Sequence, residues 1–308
     1  THSKSLSKKT YLRSTLSLSG SEHAYNEKSR LDSLNPEKLF PLHNVQLTES
    51  KLTLVSRLTH VYNSRFTLMT GIEAGNHMYE LMGKARNYET EVFVKIIDGS
   101  GNGWLLEGYL QGKYNLRPDL FFTAGFNSSW FEINGEHTIE PRLSASWQFR
   151  PDYQFSLGYG NHSQTEPLFV YFVENLEDQA ATVQYPNKNL ARMGAHHFVF
   201  SYDWAITENL RMKIEPYYQS LYDVPVVDDT AYSMVNFMSD WTFDRTLVNK
   251  GTGRNMGVDL TLERFLKNGY YFMTTASVYD SEYTGGDGIT RRTRYDGGYV
   301  VNVLGGRE

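Results

Sequence analysis

Along most of this 308-residue chain, apolar and polar residues alternate one by one, the period of a β-strand with two unlike faces. The stretch 144–160, SASWQFRPDYQFSLGYG, is typical. Before its turn, Leu143, Ala145, Trp147 and Phe149 share one face, and Arg142, Ser144, Ser146 and Gln148 share the other. After it, Tyr153, Phe155, Leu157 and Tyr159 oppose Gln154, Ser156, Gly158 and Gly160. Arg150-Pro151-Asp152 between them is turn chemistry, since Pro presets φ and Asp can bond its own backbone.

Similar polar turns fall at Asn63-Ser64-Arg65, Arg117-Pro118-Asp119, Thr207-Glu208-Asn209 and Lys267-Asn268-Gly269. They predict hairpins over 51–62 with 66–77, 104–116 with 120–132, 138–149 with 153–164, 192–206 with 210–221, and 255–266 with 270–282. Lone strands at 10–19 and 295–304 bring the total to about twelve. The strands are longer than the five or six residues usual in globular sheets. Between hairpins the pattern lapses, predicting long loops at 20–50, 78–103, 165–191, 222–254 and 283–294 and a short one at 133–137. Tight turns at one end and long loops at the other describe an antiparallel up-and-down transmembrane β-barrel, oily outside and wet inside.

Several strands assign the faces. Leu210, Met212 and Ile214 alternate with Arg211, Lys213 and Glu215, and Val258, Leu260 and Leu262 with Asp259, Thr261 and Glu263. A charge at the bilayer mid-plane costs about 2–4 kcal/mol, so Glu107, Arg142, Lys213, Glu215, Asp259 and Glu263 are expected to face the lumen. Pro141 and Pro216 fall inside predicted strands toward the loop-side end, where a missing donor is least costly.

Composition narrows the classes. A mean hydropathy of −0.49 reads as soluble, but an alternating strand averages low, so it does not exclude a barrel. The longest apolar run, 168–173, is far short of a spanning helix. Aromatics reach 14%, and Tyr and Trp gather at membrane interfaces. There is no cysteine, hence no disulfide or thiolate chemistry, and a net charge of −5 gives no nucleic-acid footprint.

Residues 139–172 (IEPRLSASWQFRPDYQFSLGYGNHSQTEPLFVYF), 186–204, 210–226, 247–272 (LVNKGTGRNMGVDLTLERFLKNGYYF) and 277–304 resemble the barrel of TonB-dependent outer-membrane receptors. The branch is the one with a carboxypeptidase-regulatory-like domain ahead of its plug. KTYLRSTLSLSG and EGYLQGKYNL fit the same template. The resemblance implies a barrel of about 22 strands closed by a plug, which imports a scarce ligand with energy relayed by TonB. Residues 1–308 are accordingly expected to be one internal barrel segment, with plug and C-terminal strands absent from it. Its partners would be outer-membrane lipid, the plug and TonB in the intact bacterial protein, and a small-molecule ligand of siderophore, vitamin or saccharide type. The excised segment, with open edges and an oily wall, is expected to self-associate.

Candidate chemistry is sparse. His196 and His197 are strand neighbours on opposite faces, no zinc-site spacing occurs, and no nucleophile–base pair is visible, so neither catalysis, metal nor cofactor is expected. Gly99-Ser100-Gly101-Asn102-Gly103 reads as flexible loop, and Asp228-Asp229 and 285–288 as solvated loops. Ligand capture is expected from loop residues Tyr185, Asn187, Tyr232, Trp241 and Phe243. The rival class is a soluble secreted β-protein that binds glycans through surface aromatics.

Overall fold

In the computed structural model, residues 1–30, 39–87, 90–174, 185–238 and 242–307 are described. Among the described residues fourteen antiparallel strands form one sheet, and each strand up to the thirteenth is paired with its neighbour in sequence. They are β1 (His2–Ser7), β2 (Thr10–Ser29), β3 (Phe40–Val61), β4 (Phe66–Arg86), β5 (Phe93–Arg117), β6 (Leu120–Phe131) and β7 (Glu136–Arg150). There follow β8 (Tyr153–Gln164), β9 (Met193–Thr207), β10 (Leu210–Val226), β11 (Val248–Lys267), β12 (Tyr270–Thr284), β13 (Thr290–Arg292) and β14 (Tyr299–Arg307). β13 and β14 both line the far edge of β12. All twelve expected strands are present, joined by β1 and β13.

The two faces are unlike. Trp147, Phe155, Tyr202, Ile214, Leu260, Ala276 and Val301 stand side by side on successive strands, an apolar row with Leu260 38% exposed and, one rung up, Leu157 59% exposed. On the opposite face Gln111, Gly125, Arg142, Gly160, His197, Gln219, Asn255 and Ser281 form an equally continuous polar row. A soluble β-protein would bury the apolar row. Here it lies on the surface, the arrangement of a membrane barrel.

Aromatics bracket that row. Near the tight turns Phe149 stacks on Phe155 at 5.0 Å and Tyr153 on Trp204 at 5.7 Å, and Trp104 and Trp130 mark the other rim. Leu120, at the level of Trp147, lies ten residues below Trp130. At about 3.3 Å per residue and a tilt of about 40°, that spans about 25 Å, the height of a barrel's apolar band.

Strands of up to 25 residues exceed this band, so β2–β5 continue well beyond it. The loops expected over 20–50 and 78–103 are therefore largely strand: β2 runs to Ser29, β3 starts at Phe40, β4 ends at Arg86 and β5 starts at Phe93. The glycine-rich stretch 99–103 lies inside β5, not in a loop. Both prolines sit where a ladder stops or skips. The β7–β8 pairing ends at Arg142, beside Pro141, and the β9–β10 pairing passes from Ile214 to Tyr217, skipping Pro216.

Candidate functional site

The apolar core gathers at the loop-side end of the sheet, on its polar face. Val45, Leu47, Leu81 and Ile97, from the upper β3, β4 and β5, share the face that lower down carries Lys51, Glu73 and Glu107. Two inter-strand segments pack onto them: residues 165–174 with 185–192, between β8 and β9, and residues 227–238 with 242–247, between β10 and β11.

A short hairpin creates the vacancy they fill. The β5–β6 ladder ends at Leu105–Phe131 and the chain reverses at once into β7, so β5 above Leu105 lacks a partner strand on that side. An unpaired edge demands cover. Leu168–Phe172 forms one 3-10 turn, and Val173 then bridges Ile97 while the Glu174 N–H donates to the Ile96 carbonyl at 3.0 Å. Gly99 is bare for the same reason: a Cβ there would stand 2.4 Å from Phe172 Cδ1. The feet of this wedge dock on the β6–β7 tip, with Asn134 Nδ2 donating to the Leu190 carbonyl at 2.8 Å and the Arg192 N–H to Glu136 Oε1 at 2.9 Å.

The expected capture residues take distinct places here. Asn187 is fully enclosed, donating to the Arg245 carbonyl at 2.8 Å and accepting from the Leu247 N–H at 2.8 Å, and so ties the two segments together. Phe243 is fully enclosed between Phe169 and Phe237. Tyr185 is half-buried beside Phe172, its ring 5.8 Å away, and burial, then the Glu174 and Asp98 carboxylates, raise its phenol above the ordinary range. Tyr232 is half-buried under the Arg245 guanidinium, 4.5 Å from the ring centroid. Trp241 lies outside the described residues.

The six charged wall residues share the polar face. Arg142 pairs with Glu140 at 3.1 Å, and Lys213 with Glu215 at 2.7 Å. Asp259 accepts from Ser277 Oγ at 2.6 Å, Glu107 stands opposite Glu73, and Glu263 opposite Arg211. Arg57, Glu73, Glu107, Tyr109, Gln111, Asn127 and Arg142 contribute to a wall hollow of about 330 Å³. His196 and His197 do point to opposite faces. His196 meets Tyr159, and His197 meets His162 and Gln219. The relay His197–Gln219–Asn255–Ser281–Thr293, with links of 2.6–2.8 Å, was not legible in the sequence, because its members are brought together only by strand register.

Two-faced sheet, bracketing aromatics and inward-packed segments define the wall of a transmembrane β-barrel. The family model "TonB dependent receptor-like, beta-barrel" matches residues 10–304, and the chain belongs to that family. No curated protein matches. Among solved structures the chain is similar to the ferric-catecholate import receptor Fiu of E. coli K12 (TM-score 0.66, 11% identity, 97% of this chain and 49% of that one). It is likewise similar to the copper transporter OprC (0.63, 10%, 92% and 46%) and to the RagAB peptide importer (0.61, 12%, 92% and 35%). It thus spans half or less of the length of these three.

Proposed function

We propose that this chain is barrel wall of a bacterial outer-membrane receptor that captures a small nutrient of siderophore, vitamin or saccharide type. Import would proceed with a plug domain and TonB. The observation that carries the reading is the pair of opposed rows, oily outside and hydrogen-bonded inside, capped by a core of inward-packed segments. Tyr185 and Tyr232, half-buried at that core, are the capture surface together with Trp241, while Asn187 and Phe243 hold them in place. Glu107, Arg142, Lys213, Glu215, Asp259 and Glu263 keep the lumen wall wet and give a plug its polar contacts.

The experiment is uptake of labelled iron chelates, cobalamin and oligosaccharides by cells with and without the gene, each with and without TonB. Uptake of one class that needs both is the expected result, and Y185A with Y232A should weaken its binding at least tenfold. Recovery of the protein in the soluble fraction, with no TonB-dependent uptake, overturns the reading.

A further inference from the structure

Two orphaned groups sit at the feet of the wedge. Glu166, two residues past β8, is 6% exposed, and its Oε1 has no hydrogen-bond partner among the described residues. Arg192, the residue before β9, is 5% exposed, and its Nη2 is likewise unpartnered, although Nη1 donates to Ser129 Oγ and Nε lies 3.5 Å from Glu136 Oε2. Tyr171 stands between them, its hydroxyl accepting from the Glu166 N–H at 3.2 Å. A carboxylate is not stable in such a place without a partner, whereas a neutral carboxyl is tolerated.

We propose that Leu168–Val173 is a protonation-controlled wedge, seated on the inner face of β3–β5 while Glu166 is a neutral carboxyl and released when Glu166 ionises. Release uncovers the free edge of β5 and opens the mouth of the barrel above the β6–β7 tip. Tyr171 on the wedge is the titratable group in contact with Glu166, through its N–H, and the charges of Glu136 on β7 and Arg192 before β9 act on that same phenol. None of them hydrogen-bonds Oε1.

Burial pushes the Glu166 carboxyl up to about 7, and burial first, then the Glu166 and Glu136 charges, raises the Tyr171 phenol. With the group raised in the seated state and ordinary in the released one, seating is fully favoured below the ordinary carboxyl range. That advantage is lost as pH climbs to about 7. Between pH 5 and pH 8 the seated-to-released ratio should fall by more than about tenfold. The inference rests on the family fold and not on which nutrient is carried.

Residues 1–308 contain no cysteine, so once any cysteine elsewhere in the intact protein is replaced by serine, a single introduced thiol reports cleanly. Val170 is fully buried on the wedge, and Glu208 is 93% exposed in the β9–β10 turn. In the intact protein in detergent, the labelling rate of V170C is divided by that of E208C, which cancels the thiol's own ionisation. The ratio should rise more than tenfold from pH 5 to pH 8, and adding E166Q should hold it at the low value throughout. E166D, which keeps a titrating carboxyl, should restore a pH-dependent ratio. A ratio flat with pH in the parent, or one that still rises with E166Q present, overturns the proposal. Neither outcome bears on nutrient uptake, so failure here is distinguishable from failure of the receptor reading.

Discussion

Glu140 receives two hydrogen bonds from Ser163, one from its backbone N–H at 2.9 Å and one from its hydroxyl at 2.6 Å. Pro141 follows Glu140, and the β7–β8 ladder ends beside it. The carboxylate thus takes the place of the backbone acceptor that the ladder no longer offers, where the chain leaves the wall to form the wedge. Glu140 is buried, so Glu140→Ala leaves the Ser163 donors unsatisfied at a cost of about 1–3 kcal/mol. Its partner Arg142 is half exposed, and Arg142→Ala should cost less than about 1 kcal/mol. Urea unfolding of the protein in lipid vesicles measures both, and equal effects would refute the assignment.

Gly99 makes room for Phe172. With a Cβ 2.4 Å from the Phe172 ring, Gly99→Ala must displace the wedge or the strand, at about 1–3 kcal/mol. The displacement should appear as faster thiol labelling of V170C at pH 5. Gly135, with nothing within 4 Å of an added Cβ, has no such neighbour, but its φ of 71° makes it an unsuitable control. Gly20, whose nearest neighbour would lie at 3.4 Å, serves instead, and Gly20→Ala should leave the labelling rate unchanged.

Asn268 and Gly269 join β11 to β12 with φ of 57° and 77°, the left-handed pair that a two-residue hairpin of matching twist requires. Gly269→Ala forces a side chain into that region and should destabilise by about 1 kcal/mol. The same unfolding assay reads it, with Lys267→Ala as the neutral neighbour.

The exposed apolar row and the two sheet edges also set the solution behaviour of the isolated chain. Leu16, Leu18, Val278 and Val303 are all two-thirds or more exposed, forming a surface that water does not tolerate in bulk. Light scattering without detergent should find large or heterogeneous assemblies. A monodisperse monomer in plain buffer would contradict the orientation of the faces.

The parity of the strands was legible because the membrane enforces it. Val258, Leu260 and Leu262 meet hydrocarbon while Asp259, Thr261 and Glu263 meet water, so each substitution across faces carries a penalty. Above the apolar band that constraint lapses. In residues 21–29 (SEHAYNEKS) only Tyr25 reaches the apolar core and the other positions are polar or small on both faces, so the types do not alternate and a strand there looks like a loop. Glycines 99–103 misled for a different reason: Gly99 and Gly103 are small to admit Phe172 and Ile133, and Gly101 takes a φ of 147° within the strand. The run 168–173 was visible only as too short to span a membrane, and its place against β5 depends on the brevity of the β6–β7 hairpin. The burial of Asn187 and Phe243 was hidden too, since loop composition does not say which aromatics and amides a loop keeps for its own core.

The central claim is best tested by nitroxide labels placed one at a time at 258–263 along β11, in the intact protein reconstituted into a bilayer. Collisional accessibility should alternate strictly. Positions 258, 260 and 262 should favour oxygen dissolved in the hydrocarbon, and 259, 261 and 263 a water-soluble nickel chelate. A profile without that alternation, or one in which the chelate reaches 260 more readily than 259, would contradict the account.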